Sequence, residues 1–301
     1  MSLASAGTRH RMGLGALLLV TMVWGTTFPA MKAMSGDLQA LEIISLRCAV
    51  ALCVLWPFLR GLRPQEWRWG LIMGSVMFMA TALQVSGLGL TSSNRNAFIT
   101  GLNVVIVPLL AALLGQRLGW PVIGGAVLSV AGMFGLFYES APWNLGDTLT
   151  LASAFVYAIY VLTFEYCARQ QPVAPCRPER LAAVQTLVML SFGSAGILLQ
   201  GADMASLPAR AEAHIGPLIY LGVIASAAVV WLQAWGQARV RAVEAALLYG
   251  LEPVFASLTA VWYINEVLAG RALVGAALIV LGVMLSQWPA STPAAAPARS
   301  S

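Results

Sequence analysis

The sequence predicts an all-α membrane protein of ten transmembrane helices, laid out as two inverted five-helix repeats around a central cavity. Three observations predict it: an apolar composition, ten apolar runs of bilayer-crossing length, and a gapless internal repeat. Of the 301 residues, 59% are hydrophobic and 10% charged, whereas a soluble domain carries about 25% charged residues. A helix crosses a hydrocarbon core of about 30 Å with about 20 residues, so each apolar run of that length reads as one span.

The first span is expected at 12–34. It follows Arg9, His10 and Arg11, as a secretory signal would, but continues through WGTTFPAM without a small-x-small site and is therefore expected to be retained. The second, 40–59, carries Arg47 in its outer half, where it is expected to snorkel outward or to pair with Glu42, five residues before it. RGLRPQEWR (60–68) separates it from the third, 69–90, and the fourth follows at 95–115. GQRLGWP (115–121) leads into the fifth, 121–138. The sixth covers 147–167 and is followed by ARQQPVAPCRPER (168–180). The last four are 181–200, 214–236, 244–265 and 271–288. Trp67, Trp69, Trp120, Trp143 and Trp288 stand near span ends, as interfacial anchors do.

The basic residues test the count, because Lys and Arg collect on the cytoplasmic side. With the N-terminus inside, the inner segments hold 12 of the 17 and the outer ones only Lys32, Arg95, Arg210 and Arg271, leaving Arg47 within a helix. Both termini are expected to be cytoplasmic. The net charge of +5 then faces anionic lipid, so the partners expected are the bilayer and a small-molecule substrate, with no nucleic acid. A monomer or weak homodimer is expected. Cys48, Cys53, Cys167 and Cys176 fall in helices or on the inner side, so no disulfide is expected.

Residues 97–134 align with 247–284 at an offset of 150, pairing Leu118 with Leu268, Gly125 with Gly275 and Gly132 with Gly282. LQVSG (83–87) matches LQAWG (232–236) after a one-residue slip. Five spans per half force the second half to enter from the opposite side, and inverted repeats place a solute site near the midplane between them. The domains expected are a tail at 1–11, repeats at 12–140 and 141–288, and a disordered tail at 289–301. The glycines at seven-residue spacing read as a helix-packing surface.

The run GLEPVFASLTAVWYINEVLAGRALVGAALIVLGVML, with Pro253, Glu266, Gly275 and Gly282, resembles the second repeat of the drug/metabolite transporter superfamily in its EamA-domain branch. Trp24, Gly25, Arg47, Gly125 and Gly132 form a weaker first copy, which departs from the pattern with Asn103 opposite Pro253 and Gln116 opposite Glu266. The resemblance implies a ten-helix exporter of small metabolites in a bacterial inner membrane, with the first, third, fourth, sixth, eighth and ninth helices around the cavity. Amino-acid exporters, including an aromatic branch, are the most similar. A drug or nucleoside-type carrier of the same superfamily is the alternative, and a channel or a non-transporting scaffold is the alternative from another class.

Polar and aromatic residues at helical spacing give the candidate substrate-binding set: Trp24, Thr27, Phe78, Thr81, Gln84, Asn103, Tyr157, Tyr160, Gln233, Tyr249 and Glu252. Amide, hydroxyl and aromatic groups with one acid suit a zwitterionic or neutral amphipathic solute. Each amide or hydroxyl could instead bond a neighbouring helix. Glu252 stands in LLYGLEPVFASL, where an ionised side chain costs about 2.5 to 3.5 kcal/mol even on the lenient insertion scale. It either donates to a neighbouring helix or binds the substrate amine and carries a proton. Pro253 removes the amide that would bond the carbonyl of Tyr249, and Pro108 does the same in the fourth span, so both are expected hinges. No catalytic residue, cofactor or metal is expected: the only histidines are His10 and His214, and no P-loop is present.

Overall fold

The computed structural model describes residues 3–137, 142–170, 176–264 and 270–288, and every regular element among them is helical. The order is α1 (Leu3–Met34), α2 (Ala40–Leu55) with a 3-10 turn at Trp56–Leu59, α3 (Pro64–Leu90), α4 (Ser93–Gly101), α5 (Asn103–Leu113), α6 (Trp120–Phe137) and α7 (Leu145–Gln170). There follow α8 (Pro178–Leu199), α9 (Leu207–Glu212), α10 (Ile215–Ile219), a π-helical segment (Tyr220–Ala228), α11 (Val229–Gln237), α12 (Ala242–Tyr249), α13 (Glu252–Ile264) and α14 (Gly270–Ser286). Eight helical stretches among the described residues are long and apolar enough to cross a membrane, and α6 and α14 are apolar but shorter. The chain is thus an all-α, multi-pass membrane protein. Glu266, the expected repeat boundary at 140 and 141, and the tail 289–301 lie outside the described residues.

Four features differ from expectation. α1 begins at Leu3 rather than 12, because His10 ties the extra turns down: its Nδ1 lies 3.3 Å from the Arg239 carbonyl and its Nε2 3.7 Å from Glu244. The fourth span is interrupted at Leu102, where Asn103 Nδ2 donates to the carbonyl of Thr100 at 2.8 Å. Pro108 is therefore not where that span breaks. It lies inside α5, six residues beyond an interruption that has already freed the chain to change direction. The eighth span changes to π-helical geometry between Tyr220 and Ala228. Finally, Arg47 and Glu42 do not pair. Glu42 accepts two 2.7 Å bonds from Arg210, which reaches it from α9, while Arg47 points to the other side of α2.

The ninth span is broken at Gly250 and Leu251, between α12 and α13. Pro253 is the second residue of α13, where a missing N–H would have had no intrahelical partner in any case. The turn is closed by Leu251 N donating to Leu248 O at 3.0 Å and Val254 N to Leu251 O at 3.0 Å.

Within a bilayer, helices associate by close packing rather than by expulsion of water, and small residues set the approach. α6 lies along α14 so tightly that a β-carbon on Gly125 would collide with the Gly282 carbonyl, and one on Gly132 with that of Gly275. α3 lies between α7 and α8, α2 against α8 and the π segment, and α1 against α11, α12 and α13. The ends are bolted by ions. Near the start of α1, Glu66 accepts from Arg63 (2.8 Å), Arg180 (2.9 Å) and the backbone of Arg177 (3.2 Å). Glu165 pairs with Arg169 and accepts from the Ala242 amide at 3.1 Å. Burial, with Arg9 nearby, pushes the Arg239 guanidinium below its ordinary pKa, and it lies 3.7 Å over the Trp235 ring. At the other end, the Glu42 carboxylate pushes Arg210 above its ordinary pKa.

Candidate functional site

A cavity of about 50 Å³ lies among α1, α2, α3, α4, α7, the π segment and α13. α1 contributes Trp24, Thr27 and Met31, and α2 contributes Arg47. α3 presents Met77, Ala80, Thr81 and Gln84 at the i, i+3, i+4, i+7 spacing of one helix face. Thr100 closes α4, Ser153 and Tyr157 come from α7, and Ala225 from the π segment. Glu252 enters from the first residue of α13. The helix break therefore does positional work: it puts the carboxyl-bearing residue at a helix start instead of burying it mid-helix.

Polar groups of the wall are partly committed to the protein. Gln84 Nε2 donates to Thr100 Oγ1 at 3.2 Å, Ser153 Oγ to the Ala80 carbonyl at 2.7 Å, and Thr27 Oγ1 to the Trp24 carbonyl at 2.8 Å. Glu252 is 9% exposed, and among the described residues no hydrogen bond or ion pair engages its carboxyl group. α1 reaches it by close approach. A β-carbon on Gly25 would sit 2.9 Å from the Glu252 carbonyl oxygen and 2.7 Å from Phe255 Cβ.

On the side toward the start of α1, the cavity is closed by rings. Trp24 lies 5.7 Å from Tyr157 and 5.2 Å from Tyr249, and Tyr157 lies 5.6 Å from Tyr160. Amides stitch this layer together: Gln233 Nε2 donates to Tyr157 Oη at 3.0 Å, and Tyr160 Oη to Gln185 Oε1 at 2.8 Å and Gln233 Oε1 at 3.3 Å. The Tyr249 hydroxyl is buried beside the Gln233 amide but makes no hydrogen bond of ordinary geometry among the described residues.

Six of the sequence-predicted residues thus line one cavity: Trp24, Thr27, Thr81, Gln84, Tyr157 and Glu252. Tyr160, Gln233 and Tyr249 form the layer beneath it. Asn103 is directed instead to the helix break through Thr100, and Phe78 packs on Phe192 at 5.5 Å, away from the cavity. The set missed Met31, Arg47, Met77, Ala80, Thr100, Ser153 and Ala225. Arg47 was marked by its charge in an apolar run and by its place in the weaker first copy of the repeat, but was read as snorkelling or as a partner of Glu42.

A cavity of about 50 Å³ admits a few waters and falls well short of the 300–1,000 Å³ of a typical small-molecule pocket. An organic solute enters only if the wall helices separate.

Over residues 11–138 and 144–288 the chain matches the EamA-like transporter family. An uncharacterized transporter of Archaeoglobus fulgidus is 26% identical over 89% of this chain and 83% of that protein. A probable terminal-alkyne amino-acid exporter of Streptantibioticus cattleyicolor is 27% identical over 90% of this chain and 91% of that protein. A probable amino-acid metabolite efflux pump of Salmonella typhimurium is 27% identical over 89% and 92%. A solved crystal structure, 20% identical, superposes with a TM-score of 0.71 over 93% of this chain and 96% of that one, which shows the shared fold.

Proposed function

The chain belongs to the EamA-like transporter family of the drug/metabolite transporter superfamily, and we propose that it is an alternating-access exporter of neutral and aromatic amino acids. One observation carries this choice of cargo. A single acid, Glu252, shares a buried cavity with the rings of Trp24 and Tyr157 and with amide and hydroxyl groups. An ammonium group answers the acid, and an apolar or aromatic side chain answers the rings. Relatives named as amino-acid exporters support the same direction.

In this proposal the chain crosses a bacterial inner membrane ten times with both termini in the cytoplasm. Residues 12–140 and 141–288 are inverted five-helix repeats, and the protein works as a monomer or weak homodimer. Cargo enters when the ring layer of Trp24, Tyr157 and Tyr249 parts, and leaves past Met31 and Gln84. The interruptions at Leu102 and at Gly250 and Leu251 supply the hinges, with Pro253 starting the segment that carries Glu252.

Counterflow in proteoliposomes of the purified protein tests it. Labelled phenylalanine or leucine should enter faster when the same amino acid is loaded inside. Exchange of nucleosides but of no amino acid would move the protein to the alternative cargo, and absence of trans-acceleration for any solute would defeat the carrier reading.

A further inference from the structure

We infer that Arg47 is the carboxylate anchor of the cavity, gripping the acid group of the cargo while Glu252 takes its ammonium; this rests on the amino-acid function proposed above. Arg47 is 8% exposed and lines the same cavity as Glu252. A guanidinium does not deprotonate in a protein, so it carries its charge into a membrane-embedded wall, where an uncompensated ion is costly. Its expected partner is taken, since Glu42 is held by both terminal nitrogens of Arg210. Among the described residues no carboxylate forms an ion pair with Arg47. Among them its Nε has no hydrogen-bond partner, Nη1 donates to the thioether of Met31 at 3.6 Å, and the guanidinium also meets the Cys48 thiol, both sulfurs being weak acceptors.

Lys32 makes the contrast. It also lies in the membrane-embedded part of the chain, but its Nζ is committed to the carbonyls of Leu88 (2.8 Å) and Thr91 (2.9 Å) at the end of α3. Among the described residues Arg47 has only the sulfurs of Met31 and Cys48 as side-chain acceptors. Its backbone is also fixed, because α2 lies against the π segment so closely that a β-carbon on Gly222 would meet the Arg47 carbonyl at 2.9 Å and Val50 Cβ at 2.5 Å. A planar fork on a fixed base, facing a cavity and paired with no carboxylate among the described residues, matches the two oxygens of a carboxylate. The geometry therefore selects solutes that carry both an acid and an amine, with the side chain left to Trp24, Tyr157, Met31 and Met77.

The full-length protein in proteoliposomes, exchanging phenylalanine or phenylalaninamide against internal label, tests this. Wild type should favour the acid over the amide by about 10- to 100-fold, the range expected for a charge-assisted contact. R47Q should lose that preference while still exchanging the amide, which also shows that the variant is folded. R47K, which keeps the charge but not the fork, should fall between. Equal exchange of acid and amide by wild type, or an unchanged preference in R47Q, overturns the anchor and leaves amino-acid transport standing. Exchange of neither probe by wild type overturns both. If R47Q is inactive on every probe, the wild-type ratio decides alone.

Discussion

Glu252, Tyr160 and Tyr249 differ in what they already hold, and that difference sets their mutational behaviour. The Glu252 carboxyl is buried and unengaged among the described residues, so its ionisation state is free to follow cargo and pH. Glu252→Gln is isosteric and cannot titrate. Its rate of phenylalanine counterflow should be nearly flat from acid to alkaline pH where the wild-type rate slopes; superimposable profiles would make Glu252 a structural residue. Tyr160 donates to Gln185 and Gln233, whereas the Tyr249 hydroxyl lies beside the Gln233 amide without a hydrogen bond of ordinary geometry among the described residues. Tyr160→Phe should therefore cost about 1 to 3 kcal/mol, the penalty of stranding a buried acceptor. Tyr249→Phe should be neutral or mildly stabilising. Melting of both variants in detergent checks the pair, and equal losses would contradict it.

At the scale of elements, two kinds of feature had different visibility in the sequence. The glycine spacing in α6 and α14 was legible, because 125, 132, 275 and 282 repeat with a period that keeps them on one face. Gly132→Ala should lower stability by about 1 to 3 kcal/mol, since its β-carbon meets the Gly275 carbonyl. Gly15→Ala on α1, where a β-carbon meets nothing within 4 Å, should be neutral or stabilising by up to about 1 kcal/mol. Thermal melts of the two variants would separate packing from propensity, and an unchanged Gly132→Ala would refute the contact. The interruptions were only half legible. Pro253 announced the break before α13, but Pro108 pointed six residues downstream of the one at Leu102, where the deciding group is the Asn103 amide rather than a proline. The π segment gave no local sign, since YLGVIASAA (220–228) reads as an ordinary, mostly apolar helical stretch. Its distortion accompanies a tertiary contact, Gly222 against Val50, that no periodicity encodes.

Across the whole molecule, the apolar runs and the broad grouping of cavity residues could be read from one chain because each depends on composition or on a single helix face. Ionic partners that lie far apart in sequence could not. Glu66 is the clearest case: it reaches Arg180, 114 positions away, and holds the starts of α3 and α8 together. Glu66→Ala removes an acceptor of several bonds and leaves Arg63 and Arg180 repelling each other. The end of the molecule it closes should open more often. In a Cys48→Ala, Cys53→Ala, Cys176→Ala background, alkylation of buried Cys167 on α7 by a membrane-permeant maleimide should quicken about tenfold, as loss of about 1.4 kcal/mol of closing free energy requires. Unchanged alkylation would mean that other contacts keep that end shut.

The layer formed by Trp24, Tyr157 and Tyr249 has an electrical consequence. A membrane that stores energy as an ion gradient must remain an insulator wherever a protein crosses it. Beneath the cavity, the insulation includes rings spaced 5.2 to 6.1 Å apart between centres. Exchanging these rings for smaller groups to admit bulkier cargo would thin that layer. In the proposed transport cycle, cargo range and ion tightness are thus set by the same three side chains, and broadening the first erodes the second.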